Sequence, residues 1–238
     1  MPAMATRPLV LAHRGACRRA PENTLEAFRV ARELGADGVE LDVRRTRDGV
    51  LVVSHDPVVA GIGLLVEHPF HDLRASVPSV VTLDEAFDEL AGLLVNVEIK
   101  CFPTEPDADP ERAVTRAVVE LVDQRSLREH VIVSSFELEV VDLVRALDPR
   151  VVTAWLTTGL APATALPIAA DRGHAWLHPD RASMQGAAAD DAVRDAERLG
   201  VRLDVWTIDD PDEIVRLATA GVDAIITNLP DVALVALA

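Results

Sequence analysis

The architecture of this chain follows from a five-residue segment, VELDV at residues 39–43. In a strand, this segment turns its three apolar side chains to one face and its two carboxylates, Glu40 and Asp42, to the other. A second segment, VNVEIK at residues 95–100, also places two charges between apolar neighbours. Two such strands are typical of the mouth of a parallel barrel or sheet. Strands there are buried on both faces, so their carboxylates must meet a metal or a cation.

Strand-like apolar runs alternate with helix-like segments along the whole chain. The strand candidates span residues 9–12, 38–43, 93–99, 131–134, 151–156, 174–177, 202–208 and 224–227. With 238 residues, this alternation predicts an α/β fold, an eight-fold β/α (TIM-type) barrel. No linker or shift in composition divides the chain, so a single domain over residues 1–238 is predicted.

The region after the second strand departs from the regular alternation. The Asp48-Gly49 pair predicts a tight turn into a short extra strand at residues 50–54. Residues 57–81 contain several prolines and glycines and show no clear periodicity. We interpret this stretch as an active-site loop or a short insertion after strand two.

Helix starts are predicted from capping patterns. Asn23 and Glu26 have capping-box spacing, and so do Thr82 and Glu85. The Asp109-Pro110 pair predicts the start of the helix that follows the third strand.

Composition excludes several classes of partner. A net charge of −16 argues against nucleic acid and against an anionic bilayer. No apolar run is long enough to cross a membrane, and the N-terminus lacks the apolar core of a secretory signal. A cytoplasmic protein without stable membrane association is expected, with Cys17 and Cys101 reduced; the oligomeric state is left open. An anionic substrate would need local positive charge, and the one lysine of the chain is Lys100.

Polar residues collect at the predicted C-terminal ends of the strands, where β/α barrels carry their active sites. The candidates are His13, Arg14, Glu40, Asp42, His55, Glu98, Lys100 and Trp206. Three carboxylates from adjacent strands suit a hard divalent cation, Mg²⁺ or Ca²⁺. Zinc is disfavoured because the two cysteines, Cys17 and Cys101, and the two candidate histidines, His13 and His55, lie far apart in the sequence.

Two histidines beside such a metal, His13 and His55, suit general acid–base work near neutral pH. Arg14 and Lys100 would supply charge-assisted hydrogen bonds to a phosphate. Together these groups fit phosphodiester cleavage. One histidine would take a proton from a water or substrate hydroxyl, and the other would protonate the leaving alcohol. Trp206 either lines the pocket or packs the barrel rim, and the remaining histidines are interpreted as structural.

Several motifs together resemble the glycerophosphodiester phosphodiesterase family. They are HRG at 13–15, PENT at 21–24, GADGVELDV at 35–43, HD at 55–56, EIK at 98–100, SF at 135–136, WT at 206–207 and GVDAIIT at 221–227. The resemblance implies a β/α barrel that hydrolyses glycerophosphodiesters with a divalent cation. It implies Glu40, Asp42 and Glu98 as metal ligands, and His13 and His55 as the acid–base pair. It also implies that Arg14 and Lys100 hold the phosphate and that Trp206 lines the pocket.

The chain departs from the family pattern at three places. The loop at residues 57–63 is more apolar, Asp209 stands where the Trp-Thr motif usually ends in asparagine, and residues 71–73 (HDL) replace a glutamate–leucine pair. The leading hypothesis is a metal-dependent phosphodiesterase that releases glycerol 3-phosphate and an alcohol from a small anionic phosphodiester.

Two alternatives stay open. One is a lysophospholipase D-type phosphodiesterase that uses the apolar loop at residues 57–66. The negative charge and the lack of an amphipathic anchor weigh against it. The other is a non-catalytic barrel that binds phosphate esters, and the full set of acid, base and metal candidates weighs against that one.

Overall fold

The computed structural model describes residues 7–238 and has a closed barrel of eight parallel strands at its centre. The barrel strands are β1 (Leu9–His13), β2 (Gly38–Arg45), β3 (Leu94–Ile99), β4 (Val131–Ser135), β5 (Val152–Thr157), β6 (Trp176–Pro179), β7 (Arg202–Val205) and β8 (Ala224–Thr227). Each strand pairs in parallel with the next, and β1 closes the ring by pairing with both β2 and β8. The predicted eight-fold β/α barrel is therefore confirmed.

Helices surround the barrel because each βα unit buries one apolar helix face against the strands. They are α1 (Leu25–Glu33), α2 (Phe70–Ser76), α3 (Leu83–Glu89), α4 (Ala113–Gln124), α5 (Leu138–Leu147), α6 (Pro162–Asp171), α7 (Ala187–Leu199), α8 (Pro211–Ala220) and α9 (Pro230–Ala236). The longest of these, α7, has 13 residues. Within residues 7–238, no helix combines the length and the apolar character needed to cross a bilayer.

The barrel interior is filled by an apolar layer with polar side chains above it. The apolar layer contains Leu11, Ile132, Ala154, Trp176, Ala224 and Ile226. Side chains two residues further along a strand face the same interior, nearer the C-terminal mouth. Strand register then sets neighbours at that level: His13 lies opposite Glu40, and Asp42 lies opposite Glu98.

The segment between β2 and α3 is more ordered than the sequence predicted. The short extra strand exists as Leu51–Val53 and pairs antiparallel with the end of β2. Within the stretch predicted to be irregular lie a hairpin, Val58–Val59 with Gly63–Leu64, and helix α2. The prediction of irregular structure is wrong there, because two-residue strands and a seven-residue helix are too short to leave a periodic pattern.

The capping predictions have mixed outcomes. Thr82 and Glu85 form the predicted capping box before α3. Asn23 does not cap α1; the cap is Thr24, whose hydroxyl accepts from the amide of Ala27 at 3.2 Å. Helix α4 begins at Ala113, three residues later than the Asp109-Pro110 pair suggested, although Asp109 Oδ2 still accepts from the amide of Val114 at 2.8 Å.

Candidate active site

A cavity of about 140 Å³ opens at the C-terminal end of the barrel. Its lining contains His13, Arg14, Glu40, His55, Glu98, Lys100 and Trp206 from the sequence-predicted set, together with Asn96, Phe136, Leu156, Thr207 and Ile226. Asp42, the remaining predicted residue, lies just behind this wall with 1% of its surface exposed. The fold thus collects the predicted site residues around one space.

Three carboxylates form an acidic cluster on neighbouring strands. One oxygen from each of Glu40, Asp42 and Glu98 lies within 4.8 Å of the others. All three side chains are buried. Burial and the neighbouring carboxylates hold the pKa of Glu40 well above its usual value, and burial raises the pKa of Glu98 to about 7. Burial also opposes ionisation of Asp42, but Lys100 and Arg14 more than compensate and lower its pKa.

The two predicted phosphate-binding cations both contact this cluster. Lys100 Nζ lies 3.0 Å from Asp42 Oδ1 and 2.5 Å from Glu98 Oε1. Arg14 Nε lies 3.2 Å from Asp42 Oδ2, and its Nη1 donates to Glu22 at 2.9 Å. Their positive charges offset part of the repulsion among the buried carboxylates.

The chemistry of the cluster fits a hard divalent cation. Its donors are carboxylate oxygens, the ligands that Mg²⁺ and Ca²⁺ prefer. The buried Oε1 of Glu40 has no hydrogen-bond partner in the described part of the chain. An acceptor left unsatisfied in this way is costly unless a ligand meets it. Glu40, Asp42 and Glu98 therefore could hold such an ion.

Two imidazoles face the same cavity from different sides. His13, at the end of β1, has its Nδ1 2.7 Å from Asn228 Oδ1 and its Nε2 3.8 Å from Glu40 Oε2. Burial lowers the pKa of His13. His55 follows the short strand Leu51–Val53, and its Nδ1 lies 2.8 Å from Asp56 Oδ1. With 38% of its side chain exposed, His55 is the more solvent-accessible of the two.

An aromatic wall borders the cavity beside Lys100. Trp206 packs edge-on against Phe136 with ring centroids 5.4 Å apart, and Phe136 contacts Phe102 at 5.7 Å. The indole nitrogen of Trp206 donates to the carbonyl of His178 at 2.8 Å. Trp206 therefore lies in the cavity wall and also packs against the rim, and its predicted contact with substrate stays a prediction.

Sequence reasoning missed several polar residues of this site. Asn23, interpreted as a helix cap, donates from Nδ2 to Asp42 Oδ2 at 2.9 Å and has a φ of 57°. Asn96 lines the cavity two residues before Glu98, where strand alternation alone puts it on the same face. Asn228 directly follows β8, so the strand-end criterion that selected His13 would have selected it too.

A larger groove of about 450 Å³ lies at the other end of the barrel. It runs along α4 and the loop from α5 to β5, with Arg116, Asp148 and Arg150 on its walls. Asp148 already binds Arg150 and Arg128, and these hydrogen bonds hold its pKa far below the usual value. In a β/α barrel this end bears on stability, whereas the other end carries the chemistry.

The structure is a parallel barrel with buried carboxylates, two imidazoles and two cations around one C-terminal cavity. This arrangement defines the class of protein, a β/α-barrel enzyme. Residues 13–232 match the model of the "Glycerophosphoryl diester phosphodiesterase family". A glycerophosphodiester phosphodiesterase of Caldanaerobacter subterraneus is 32% identical over 249 residues, with 94% of this chain and 96% of the relative covered. The chain belongs to the glycerophosphoryl diester phosphodiesterase family.

Solved structures show the same barrel. A glycerophosphodiester phosphodiesterase from Thermotoga maritima superposes with a TM-score of 0.81 and 28% identity, covering 96% of both chains. A phosphodiesterase from Oleispira antarctica, in complex with the product sn-glycerol-3-phosphate, superposes with a TM-score of 0.82 and 25% identity, covering 97% of this chain and 96% of that one. The family resemblance drawn from the sequence motifs is thus confirmed.

Proposed function

We propose that this protein is a metal-dependent phosphodiesterase that hydrolyses small glycerophosphodiesters to glycerol 3-phosphate and an alcohol. The observation that carries the proposal is the clustering of Glu40, Asp42 and Glu98 oxygens within 4.8 Å beside a cavity lined by His13 and His55. Membership of the family and the glycerol phosphate product bound to the Oleispira antarctica relative support the substrate class.

Glu40, Asp42 and Glu98 would hold Mg²⁺ or Ca²⁺. When bound, the ion supplies Lewis-acid stabilisation of charge on a phosphoryl oxygen. Arg14 and Lys100 would bind the phosphate with charge-assisted hydrogen bonds. Since both already contact Asp42, their positive charge sits at the edge of the cluster, where an anionic substrate needs it. Trp206 and Phe136 would cover the carbon skeleton of the substrate.

His13 and His55 would move the protons. One imidazole takes a proton from the attacking water or substrate hydroxyl while the new bond to phosphorus forms. The other donates a proton to the alcohol oxygen as its bond to phosphorus breaks. Neutral imidazoles can serve as the base near pH 7, and the lowered pKa of His13 keeps its ring neutral there.

The test is hydrolysis of glycerophosphocholine and glycerophosphoglycerol with and without EDTA. We expect release of glycerol 3-phosphate that stops with EDTA and returns with Mg²⁺ or Ca²⁺. His13→Gln and His55→Gln should each lower kcat by about 10²- to 10⁴-fold. His130→Gln, an exposed histidine outside the cavity, is the matched control. Turnover that resists EDTA, or wild-type rates in both His13→Gln and Glu40→Gln, would contradict the proposal.

A lysophospholipase D-type activity is the second candidate. The hairpin that follows His55 exposes half of Val58 to solvent, and an acyl chain could cover this apolar side chain. Rates on lysophospholipids of short and long acyl chains decide between the two. A rate that rises with chain length and falls in Val58→Ser would favour the lipid substrate.

A further inference from the structure

We propose that Asp209 and Asn228 are positioning residues that fix the tautomer of His13, so that its Nε2 is unprotonated toward the cavity. The proposal rests on the acid–base role proposed above for His13. Its physical content, the location of one proton, can be measured without turnover.

The first step is the orientation of the Asn228 amide. Asp209 Oδ2 lies 2.8 Å from Asn228 Nδ2, while Asp209 Oδ1 accepts from the backbone amide of Asn228 at 2.8 Å and from Thr227 Oγ1 at 3.1 Å. An ionised carboxylate only accepts hydrogen bonds. Asn228 must therefore turn its NH₂ group to Asp209, because its carbonyl oxygen there would face another acceptor. Its Oδ1 is thereby directed to the opposite side.

The second step transfers this constraint to the imidazole. Asn228 Oδ1 lies 2.7 Å from His13 Nδ1 and 3.2 Å from the thiol of Cys17. A carbonyl oxygen is only an acceptor, so a hydrogen bond at 2.7 Å requires the proton on Nδ1. In a neutral imidazole the other nitrogen then carries the lone pair. This nitrogen, Nε2, lies on the side of Glu40.

The third step is the origin of the arrangement in the barrel. Asp209 follows β7, Asn228 follows β8, and His13 ends β1, three strands that are consecutive around the ring. The backbone amide of Ile208 donates to the carbonyl of Ile226 at 3.0 Å and fixes the approach of the two loops. Asn228 thus stands between an acceptor on one side and an imidazole on the other. The proton is directed by Asp209 and Asn228, neither of which is among the residues that line the cavity.

An isosteric exchange reverses the chain of donors and acceptors. In Asp209→Asn, one oxygen still accepts from the Asn228 backbone and Thr227, but an NH₂ group replaces Oδ2. The Asn228 amide must then turn its oxygen to position 209 and its NH₂ to His13, which requires the proton on Nε2. In the double variant Asp209→Asn/Asn228→Asp, the new amide donates to the new carboxylate. The other oxygen of that carboxylate accepts from Nδ1–H, so the original tautomer returns.

Nitrogen-15 NMR of histidine-labelled protein reads the tautomer directly. The spectra are taken near pH 8 without metal or substrate, and the His13 resonances are assigned with His13→Gln. We expect Nδ1–H in the wild type and the double variant, and Nε2–H in Asp209→Asn. Resonances of His55 should not move. In parallel, kcat should fall by about 10²-fold or more in Asp209→Asn with little change in KM, and it should recover in the double variant.

Each outcome bears on the proposal. Nε2–H in the wild type overturns it, even if the variants fail to fold. The proposal is also overturned if the folded Asp209→Asn variant keeps its proton on Nδ1. It is overturned as well if the enzyme is active but kcat does not fall in Asp209→Asn and recover in the double variant. A different outcome would separate the two proposals. If the tautomers are as predicted but the wild type hydrolyses no glycerophosphodiester, the proposed function is wrong and the positioning role of Asp209 and Asn228 stands.

Discussion

Arg44 donates a hydrogen bond from Nε to the backbone carbonyl of His55 at 2.8 Å. The arginine is 2% exposed, and its Nη1 also donates to Glu105 at 2.8 Å and to Asp107 at 2.7 Å. One buried guanidinium thus ties the segment that carries His55 to the loop after β3. The position of His55 depends on this tether as well as on its own short strand.

Replacing Arg44 should affect both stability and turnover. Arg44→Met leaves the largely buried Asp107 without its partner, and we expect a loss of about 3 kcal/mol in the free energy of unfolding. Because the tether acts on His55, kcat should fall more than KM rises. Urea unfolding and steady-state kinetics measure the two effects. Arg45→Met, at a neighbouring arginine whose side chain is 28% exposed and lies 3.9 Å from Asp109, should change both quantities much less.

Metal affinity should rise with pH. The ion needs ionised carboxylates, but the pKa of Glu98 is raised to about 7 and that of Glu40 is also raised. Between pH 8 and pH 6 the ionised fraction of a group with a pKa of 7 falls roughly tenfold, so binding should weaken by about that factor or more. Calorimetric titration with Mg²⁺ or Ca²⁺ in the absence of substrate measures it.

Two variants sharpen this measurement. Glu98→Gln should weaken binding and flatten its pH dependence. Glu22→Gln should leave the pH dependence unchanged, because Glu22 pairs with Arg14 at the exposed edge of the site. If the wild type binds the ion equally tightly at pH 6 and pH 8, burial does not raise the pKa of Glu98 as described.

A second buried pair should make the free energy of unfolding depend on pH. His178 and Asp204 are both inaccessible, with 3.8 Å between Nε2 and Oδ2, and neither side chain has a hydrogen-bond partner within residues 7–238. Burial lowers the pKa of His178 to about 3 and raises the pKa of Asp204 well above its usual value. At pH values between the pKa of His178 and the raised pKa of Asp204, the folded pair therefore holds one proton, on the carboxyl group.

The location of this proton predicts how the free energy of unfolding changes with pH. Between pH 3.8 and 6.5, the usual values for the two groups, the unfolded chain also binds one proton, on the histidine, and the pair contributes no slope. Above pH 6.5 the unfolded chain releases that proton, while the folded chain keeps it up to the raised pKa of Asp204, so stability falls as pH rises through this window. The slope is up to about 1.4 kcal/mol per pH unit. Urea unfolding between pH 6.5 and 8.5 should show that the free energy of unfolding declines less steeply in Asp204→Asn than in the wild type. Equal slopes in the two proteins would refute the placement of the proton on Asp204.

Close approach of two backbones makes Gly38 sensitive to substitution. A Cβ added there would lie 2.5 Å from the carbonyl oxygen of Leu94. The strands β2 and β3 would have to separate, and we expect Gly38→Ala to lose about 3 kcal/mol of unfolding free energy. Gly61→Ala should lose only about 1 kcal/mol, because φ there is +78° but, within residues 7–238 and apart from Gly61 and its two neighbours, nothing lies within 4 Å of the new Cβ. Equal losses in thermal unfolding would contradict this account.

The local sequence pattern predicted the barrel well, because the alternation of side chains along a strand and the residues that begin and end a helix are short-range properties. It was less accurate at element ends. The sixth strand was predicted at residues 174–177 and runs from Trp176 to Pro179. His174 instead lies before that strand, where its ring contacts Thr153 and Asp142. Contacts of this kind come from other βα units, so no local window contains them.

The amino-acid sequence alone determined the number of βα units and the strand ends that carry charge, because side-chain direction alternates along each strand. It could not determine which groups meet. Asn228 reaches His13 across 215 positions and Arg44 reaches Glu105 across 61. Ring closure and strand register decided those pairings, since they alone bring the end of β8 beside β1 and the loop after β3 beside β2. The tertiary structure therefore decided the hydrogen-bond and charge partners of groups that the sequence had only placed on the right face.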